Sequence, residues 1–582
     1  MVQGVIVAVG LSIVGYTIFW VAAHHYMMPV NDDIYDRLRL IRSGPTWSEF
    51  FKYLIAPHNE HRIATTRIIA LADDAFFRGK ENLQIYLCII LQLIIALIAA
   101  VNLARDIDGR SLCANYIFPF SIFAVLSVNP MFLYTFAIQF QIQHTLMATM
   151  IVGLSAWASG LFIARPSIGR FSVIVGVLFG LALLATFTLG NAPVLLMAFA
   201  FMAALARWPI KYIAVLSVLA FGHAGLILLT KSAAGPGSSF DLINIAKFVM
   251  IYLGSPFLRF GAWPATFVTW GTYEGLAYIL GGVIFSVFSA AVLVRLFKPG
   301  FGGKALSFGL FILTCIFITA LAGAYTRVGF GILEGANKKY ASFAALGWLG
   351  AIAISVGVVQ EMSRTRVNTA LTIFYIFLAA VLFPMTIYSG QSEMRIWQKA
   401  SDRSAESSIA VLLKINSAAH LHDLFPDPPA AADYFRDIEQ RNLSVFSRYP
   451  VRWGADATKF LARYKQSSCK GEVERFDPIA PTDLSQVFDV PGTPFTMRGW
   501  AWMTDSRSPA SFVIAVDASD RIVGFALSTR VSERAEEWLS QKFTSNAGWF
   551  GFARTTDSPV SRFYAIEKGK REYCLIDNVL FR

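Results

Sequence analysis

The chain has 582 residues, of which 55% are hydrophobic and 15% charged, and its formal net charge is +12. A composition this apolar excludes an ordinary soluble protein and identifies a polytopic membrane protein. The positive charge does not point to nucleic acid, because many of the basic residues lie in short loops between apolar runs, where they report topology.

The first apolar run, Gly4 to Ala23, is long enough to span a bilayer and has no basic segment before it, so it reads as a retained first helix rather than a cleaved signal. Further runs near 83–104, 114–130, 145–164, 171–189, 192–206, 212–230, 273–294, 305–323, 341–360 and 367–388 bring the expectation to about eleven transmembrane helices. Arg105 and Arg110, Arg165 and Arg170, Arg207 and Lys211, Arg295 with Lys298 and Lys304, and Arg364 with Arg366 fall in loops on one side. The positive-inside rule makes that side cytoplasmic, which puts the N-terminus inside and the C-terminus outside. The moderately apolar stretch 242–258 then reads as an interfacial or re-entrant helix. The opening loop, residues 131–144, the GPGSS turn at 235–239, residues 324–340 and everything after 388 share the outer face, where they are expected to converge on one cavity.

The outer loop at 24–82 contains the run NDDIYDRLRLIRSGPTWSEFFKYLIAPHNEHRIATTRIIALADD. Charge beside a bilayer core is costly unless something uses it, so this loop is the candidate catalytic segment. Asn31 is a good N-cap for a helix opening on Asp32 and Asp33, with Ile34, Leu38 and Ile41 turned to lipid. A carboxylate fixed there is also well placed to act on a membrane-anchored substrate. Thr46 and Glu49 fit a capping box, followed by an apolar face of Trp47, Phe50, Phe51, Leu54 and Ile55. If Pro57 or Asn59 opens a helix, His58, His61 and Arg62 share one face. Three readings of His58, Glu60, His61 and Arg62 stay open: a hydrogen-bonded junction, phosphate or sugar recognition, and metal binding with Asp32 or Asp33. The last lacks the spacing of a known zinc motif.

Two other outer segments carry polar clusters. Gln139, Gln141, Gln143 and His144 suit sugar hydroxyls, and equally suit hydrogen bonding between helices. Arg327, Lys338, Lys339 and Tyr340 suit a lipid phosphate, against ordinary snorkelling to headgroups; Lys231 and Arg259 are weaker candidates of the same kind.

After Ser389 the composition turns polar. Residues 389–468 read as a helical connector broken at Phe425–Pro429. Residues 469–582 read as short strands, among them FTMRGWAWM, SFVIAVD, IVGFALST and SRFYAIE. The natural interpretation is an extracytoplasmic antiparallel β-sandwich. Of five cysteines, Cys88 and Cys315 fall in helices and Cys113 at the cytoplasmic surface, while Cys469 and Cys574 lie near the first and last of these strands, where an oxidising compartment permits pairing.

The arrangement resembles the C-type glycosyltransferase (GT-C) superfamily. The resemblance rests on a first span followed by a large outer loop with an acidic pair, two interfacial helices in that loop, about eleven spans and an exported C-terminal domain, with looser support from NEHR and TRVGF…NKKY. It implies a domain spanning 1–388 that moves sugar from a polyprenyl-phosphate-linked donor to a glycan or lipid-linked acceptor, in contact with membrane lipids. Phosphate leaves without a general acid, so the chemistry needs a base and cations. The resemblance assigns the base to Asp32 or Asp33, with Asp32 favoured as nearer the membrane edge. It assigns the phosphate to Arg327, with Lys338 or Lys339 and Arg62, and implies inversion at the anomeric carbon. No Asp-x-Asp pattern accompanies the pair, and the resemblance fixes no cofactor; a divalent metal stays open. A transporter or polymerase-like membrane protein is the competing class. It would more often show paired halves and charge buried mid-helix, whereas these spans are nearly free of acidic residues.

Overall fold

The computed structural model describes the chain apart from residues 1, 27, 44–45, 59–60, 105–115, 139–140, 164–166, 190–191, 230–240, 257–269, 300, 362–363, 481–486, 540–546, 556–557, 577 and 580–582. Two compact units divide it. One comprises Met1–His25, Phe51–Ala70 and Leu83–Trp397; the other comprises Tyr26–Phe50, Leu71–Asn82 and Gln398–Arg582.

The first unit is helical. Among the described residues, eight helices are long and apolar enough to cross a membrane: Val2–Ala23, Asn82–Leu103, Phe118–Phe136, Ile168–Thr186, Glu274–Phe297, Gly303–Phe330, Lys338–Gln360 and Thr369–Leu412. Ala192–Leu205, Ile210–Gly225 and Leu242–Gly254 are shorter apolar helices, and the run read at 145–164 forms the helix Ile142–Ser159. These helices are apolar around their whole circumference, as buried or lipid-facing helices must be. Small residues set their close crossings: a side chain on Gly309 would collide with the backbone carbonyl of Gly350, the contact that lets apolar helices gain packing where water gives no drive. Cys88 and Cys315 are buried free thiols in this unit.

Among the described residues, the second unit is built on a ten-stranded sheet. With a small hairpin in the loop after the first helix supplying β1 (Pro57–His58) and β2 (His61–Arg62), its strands are β3 (Lys465–Gln466), β4 (Cys469–Pro478), β5 (Thr493–Met503), β6 (Ser508–Pro509), β7 (Phe512–Asp517), β8 (Ile522–Arg530), β9 (Gly548–Thr555), β10 (Val560–Glu567), β11 (Glu572–Leu575) and β12 (Asn578–Val579). The order is β12-β4-β5-β9-β8-β7-β10-β11-β3, with β6 added to β5. The ladders are antiparallel except for β12 on β4 and β11 on β3. The sandwich expected from the sequence is therefore corrected: the strands join in one curled sheet. β3 and β4 follow each other within a few residues yet lie toward opposite ends of the strand order, so the sheet rolls until its ends approach. A disulfide between Cys469 of β4 and Cys574 of β11 ties them, with 6.0 Å between Cα atoms.

Rolling explains why β7 is buried along its entire length. Its Val513 and Ala515 face the inside of the roll with Met497, Trp549 and Phe563. Phe512, Ile514 and Val516 face outward onto helices of the segment after Leu412, where Leu421, Tyr434, Phe435, Phe446 and Phe460 complete a second core. A strand covered on both faces reads as a continuous apolar run rather than an alternation. The polar helices and the sheet thus share one core, with a break in helicity between Leu424 and Pro428.

Candidate functional site

The loop after the first span does not lie as an amphipathic helix on lipid. Its first helix, Asp32–Arg42, buries Ile34 and Leu38 in the second core, beside Leu421, Leu424 and Tyr434. That corrects the expected lipid-facing stripe: the partner for the apolar face is protein nearly 400 residues away in sequence. The Asn31 N–H donates to the Leu424 carbonyl at 2.8 Å, and Arg42 reaches Asp433 at 3.3 Å.

Burying that face turns the next helical positions inward as well. Asp33, Asp36 and Arg37 are buried, Asp33 at 6% exposure, whereas Asp32 is exposed. The two carboxylates of the pair are therefore unlike, and the favoured base of the sequence reading is the one at the surface.

The far end of the same loop supplies further acids that the sequence reading left unassigned. A single π-helical turn, Asp73–Phe77, carries Asp73 and Asp74, both buried, and Glu81 follows. Such turns are rare and recur at functional sites. Nη1 of Arg37 donates to both Asp74 oxygens, at 2.5 and 2.6 Å, and Asp73 accepts from the Glu81 N–H at 2.7 Å. The turn between them is held left-handed at Arg78, Gly79 and Glu81, with φ of 58°, 65° and 61°. A Cβ on Gly79 would come within 2.9 Å of Asp74 Oδ1, so this position requires glycine. Left-handed residues other than glycine cost of order 1–3 kcal/mol each and persist where the surroundings over-determine them. Here the Ser444 N–H fixes the turn through the Arg78 carbonyl at 2.7 Å.

The electrostatics of this acidic site are uneven. Burial, then the Asp33 carboxylate, push Glu81 well above the usual carboxylate range, with Asp73 adding to the effect and Arg37 and Arg448 opposing it. Burial alone would lower Arg37, but Asp74 beside it holds the guanidinium firmly charged. Among the described residues, no group of three or more His, Cys, Asp or Glu side chains is arranged to hold a metal ion.

The remaining predicted site residues belong to the first unit. Pro57–His58 and His61–Arg62 form a two-stranded hairpin instead of a helix, pairing His58 with His61 and Pro57 with Arg62. Asn59, Glu60 and the His61 side chain lie outside the described residues. Arg62 is directed to the Ile55 carbonyl at 2.8 Å, because in a hairpin the period is two and its neighbour's face is not its own. The sequence reading missed Arg67, a buried cation that closes the C-terminal end of the helix Trp47–Ile55 by donating to the carbonyls of Tyr53 and Ala56, each at 2.6 Å, and of Leu54 at 3.1 Å. Its signal was a single arginine inside the apolar run ATTRIIALA. At the other end of that helix, the Thr46 N–H donates to Glu49 at 3.2 Å and the Glu49 N–H to Thr46 Oγ1 at 3.3 Å, a reciprocal capping box.

The segment from Arg327 to Tyr340 brings several named residues together. Lys339 pairs with Glu334 at 2.9 Å and its ammonium lies over the Tyr340 ring at 4.9 Å from the centroid. Arg327 acts electrostatically on both Lys339 and Tyr340. His144 meets the Tyr340 ring edge-on at 6.4 Å, and Tyr252 lies 5.7 Å from it. Lys338 pairs instead with Glu393 at 3.0 Å. Gln141 and Gln143 are buried, each with an amide oxygen lacking a hydrogen-bond partner. Tyr252, Glu334 and Glu393 are additions that the sequence reading did not make. Gln139, Lys231, Arg259, Arg105, Arg110, Arg165, Cys113 and the turn at 235–239 lie outside the described residues.

No protein-family model, no curated protein and no solved structure matches this chain.

Proposed function

We propose that the protein is an inverting membrane glycosyltransferase of the GT-C kind, crossing a bacterial inner membrane about eleven times with the N-terminus inside and the region after residue 388 outside. Its donor is a sugar linked to a polyprenyl phosphate and its acceptor an extracytoplasmic or lipid-linked glycan. The observation that carries this reading is the burial of Asp33, but not Asp32, among acids drawn from both ends of one loop. Asp33, rather than Asp32, is then the base. It takes the proton of an acceptor hydroxyl as that oxygen attacks the anomeric carbon. The bond from that carbon to the donor phosphate breaks with its electron pair staying on phosphate oxygen. Burial, then the Asp33 carboxylate, push Glu81 well above the usual carboxylate range, so Glu81 takes up a proton more readily than an ordinary carboxyl does. Within the first unit, Arg327 and Lys339 stand at an aromatic-lined turn whose cations suit an anionic headgroup and whose rings suit a sugar face.

The test is the mass of surface glycan in a strain lacking the gene, complemented with full-length variants. Wild type restores the missing sugar increment; Asp33→Asn accumulates in the membrane to the same level and does not. Full restoration by Asp33→Asn would remove the base and with it this reading.

A further inference from the structure

Tyr434 stands on the helix Ala432–Gln440, within the second unit. Its side chain is 1% exposed and its hydroxyl has no hydrogen-bond partner. Tyr434 packs in one buried cluster with Ile34 and Leu38 of the Asp32–Arg42 helix, which sets it beside the acidic site, and the charged groups that act on its hydroxyl are Arg37, Asp74, Glu81 and Asp33. Buried polar groups in native proteins are almost always hydrogen-bonded, and an exception calls for a partner that arrives later. Burial, ahead of any neighbouring charge, raises the phenol far above its ordinary range, which makes it a neutral donor at every working pH.

An ionised carboxylate only accepts hydrogen bonds, and a neutral phenol has one to give. With Arg37 already paired to both oxygens of Asp74, the remaining acids disfavour an anion, and an apolar group leaves the phenol unsatisfied. A sugar hydroxyl, which donates and accepts at once, satisfies both. We propose that the Tyr434 hydroxyl is a substrate-binding donor: it hydrogen-bonds the oxygen of an acceptor sugar hydroxyl in the acidic site whose reactive O–H is presented to Asp33. This rests on the glycosyltransferase reading above and adds to it that the C-terminal region completes the acceptor site rather than serving as a separate module.

The experiment uses full-length protein in native membrane vesicles, which carry their own lipid-linked donors, with glycan extracted from the deletion strain as acceptor. Initial rates are measured against glycan concentration for wild type and Tyr434→Phe, alongside the thermal unfolding midpoint of each purified chain. Tyr434→Phe is expected to raise the half-saturating glycan concentration about fivefold to tenfold, the loss of one neutral hydrogen bond. Its unfolding midpoint stays equal or rises, because the hydroxyl removed has no partner in the fold. An unchanged saturation curve overturns the proposal, as does a lowered midpoint, which would make the hydroxyl a structural group. Wild-type vesicles that transfer nothing overturn the glycosyltransferase reading and this inference together. Transfer that Asp33→Asn abolishes and Tyr434→Phe leaves untouched overturns this inference alone.

Discussion

Asp74 and Glu334 each hold a cation of their own unit, and the two pairs live in different surroundings. Arg37 and Asp74 are both nearly removed from solvent, whereas Lys339 and Glu334 keep about a quarter of their side-chain surfaces in it. The first pair belongs to a folded core with acids on several sides; the second sits on a short turn between helices, backed by aromatic rings. Charges that are buried are fixed in place and costly to disturb, while charges left partly open stay available to a ligand. The loop therefore suits charges whose positions must not vary, and the turn suits cations that stay open to an anionic ligand.

The largest effect should separate the two members of the acidic pair. Asp33→Asn is expected to lower transfer by about 10²–10⁴-fold, the ordinary worth of a positioned base, while exposed Asp32→Asn stays within about fivefold of wild type on the same scale; equal losses measured by glycan mass would erase the distinction between buried and exposed carboxylates. Next comes the contrast between the ion pairs. Asp74→Asn leaves Arg37 charged and buried, and should cost about 3–5 kcal/mol in denaturant unfolding of the second unit. Glu334→Gln should cost about 1 kcal/mol or less. Similar costs for both would show that the turn is as closed as the loop. The smallest effect is a pH dependence. Glu81 has a folded pKa above its unfolded value, so the folded state binds more protons above pH 4.5 and loses stability as pH rises from there. Glu81→Gln should raise the unfolding midpoint by a few degrees at pH 8 and leave it unchanged at pH 4; the opposite trend would mean that Glu81 is held ionised.

Much of the architecture was legible because the helices of the first unit are apolar on every side and the strands FTMRGWAWM, SFVIAVD, IVGFALST and SRFYAIE match β5, β7, β8 and β10. The roll of the sheet was not, since continuous burial of β7 is equally what a sandwich interior would give. At the site, the capping box of Thr46 and Glu49 follows from local chemistry and could be read directly. The inward turn of Ile34 and Leu38 could not, because an amphipathic stripe says that something apolar covers it without saying whether that is lipid or protein. The same gap hid the difference between Asp32 and Asp33. The second acidic pair, Asp73 and Asp74, was visible in the same stretch and went unused, since adjacent acids at the end of a helix look like ordinary solvated charge. The hairpin at His58–Arg62 escaped because two-residue strands leave almost no period to detect.

The hydrogen bond from Arg42 to Asp433 joins residues 391 positions apart, which bears on when the loop acquires its shape as well as where. At a synthesis rate of about 5–20 residues per second, the first helix after the opening span waits roughly twenty seconds to more than a minute before the chain that covers it exists. During that interval its apolar stripe and its acids are without their native cover, and no version of the protein shortened before the final helices can supply one. Loss of everything after Leu412 should therefore unmake the buried acidic site at the other end of the chain, with each of the eight candidate membrane helices still in place.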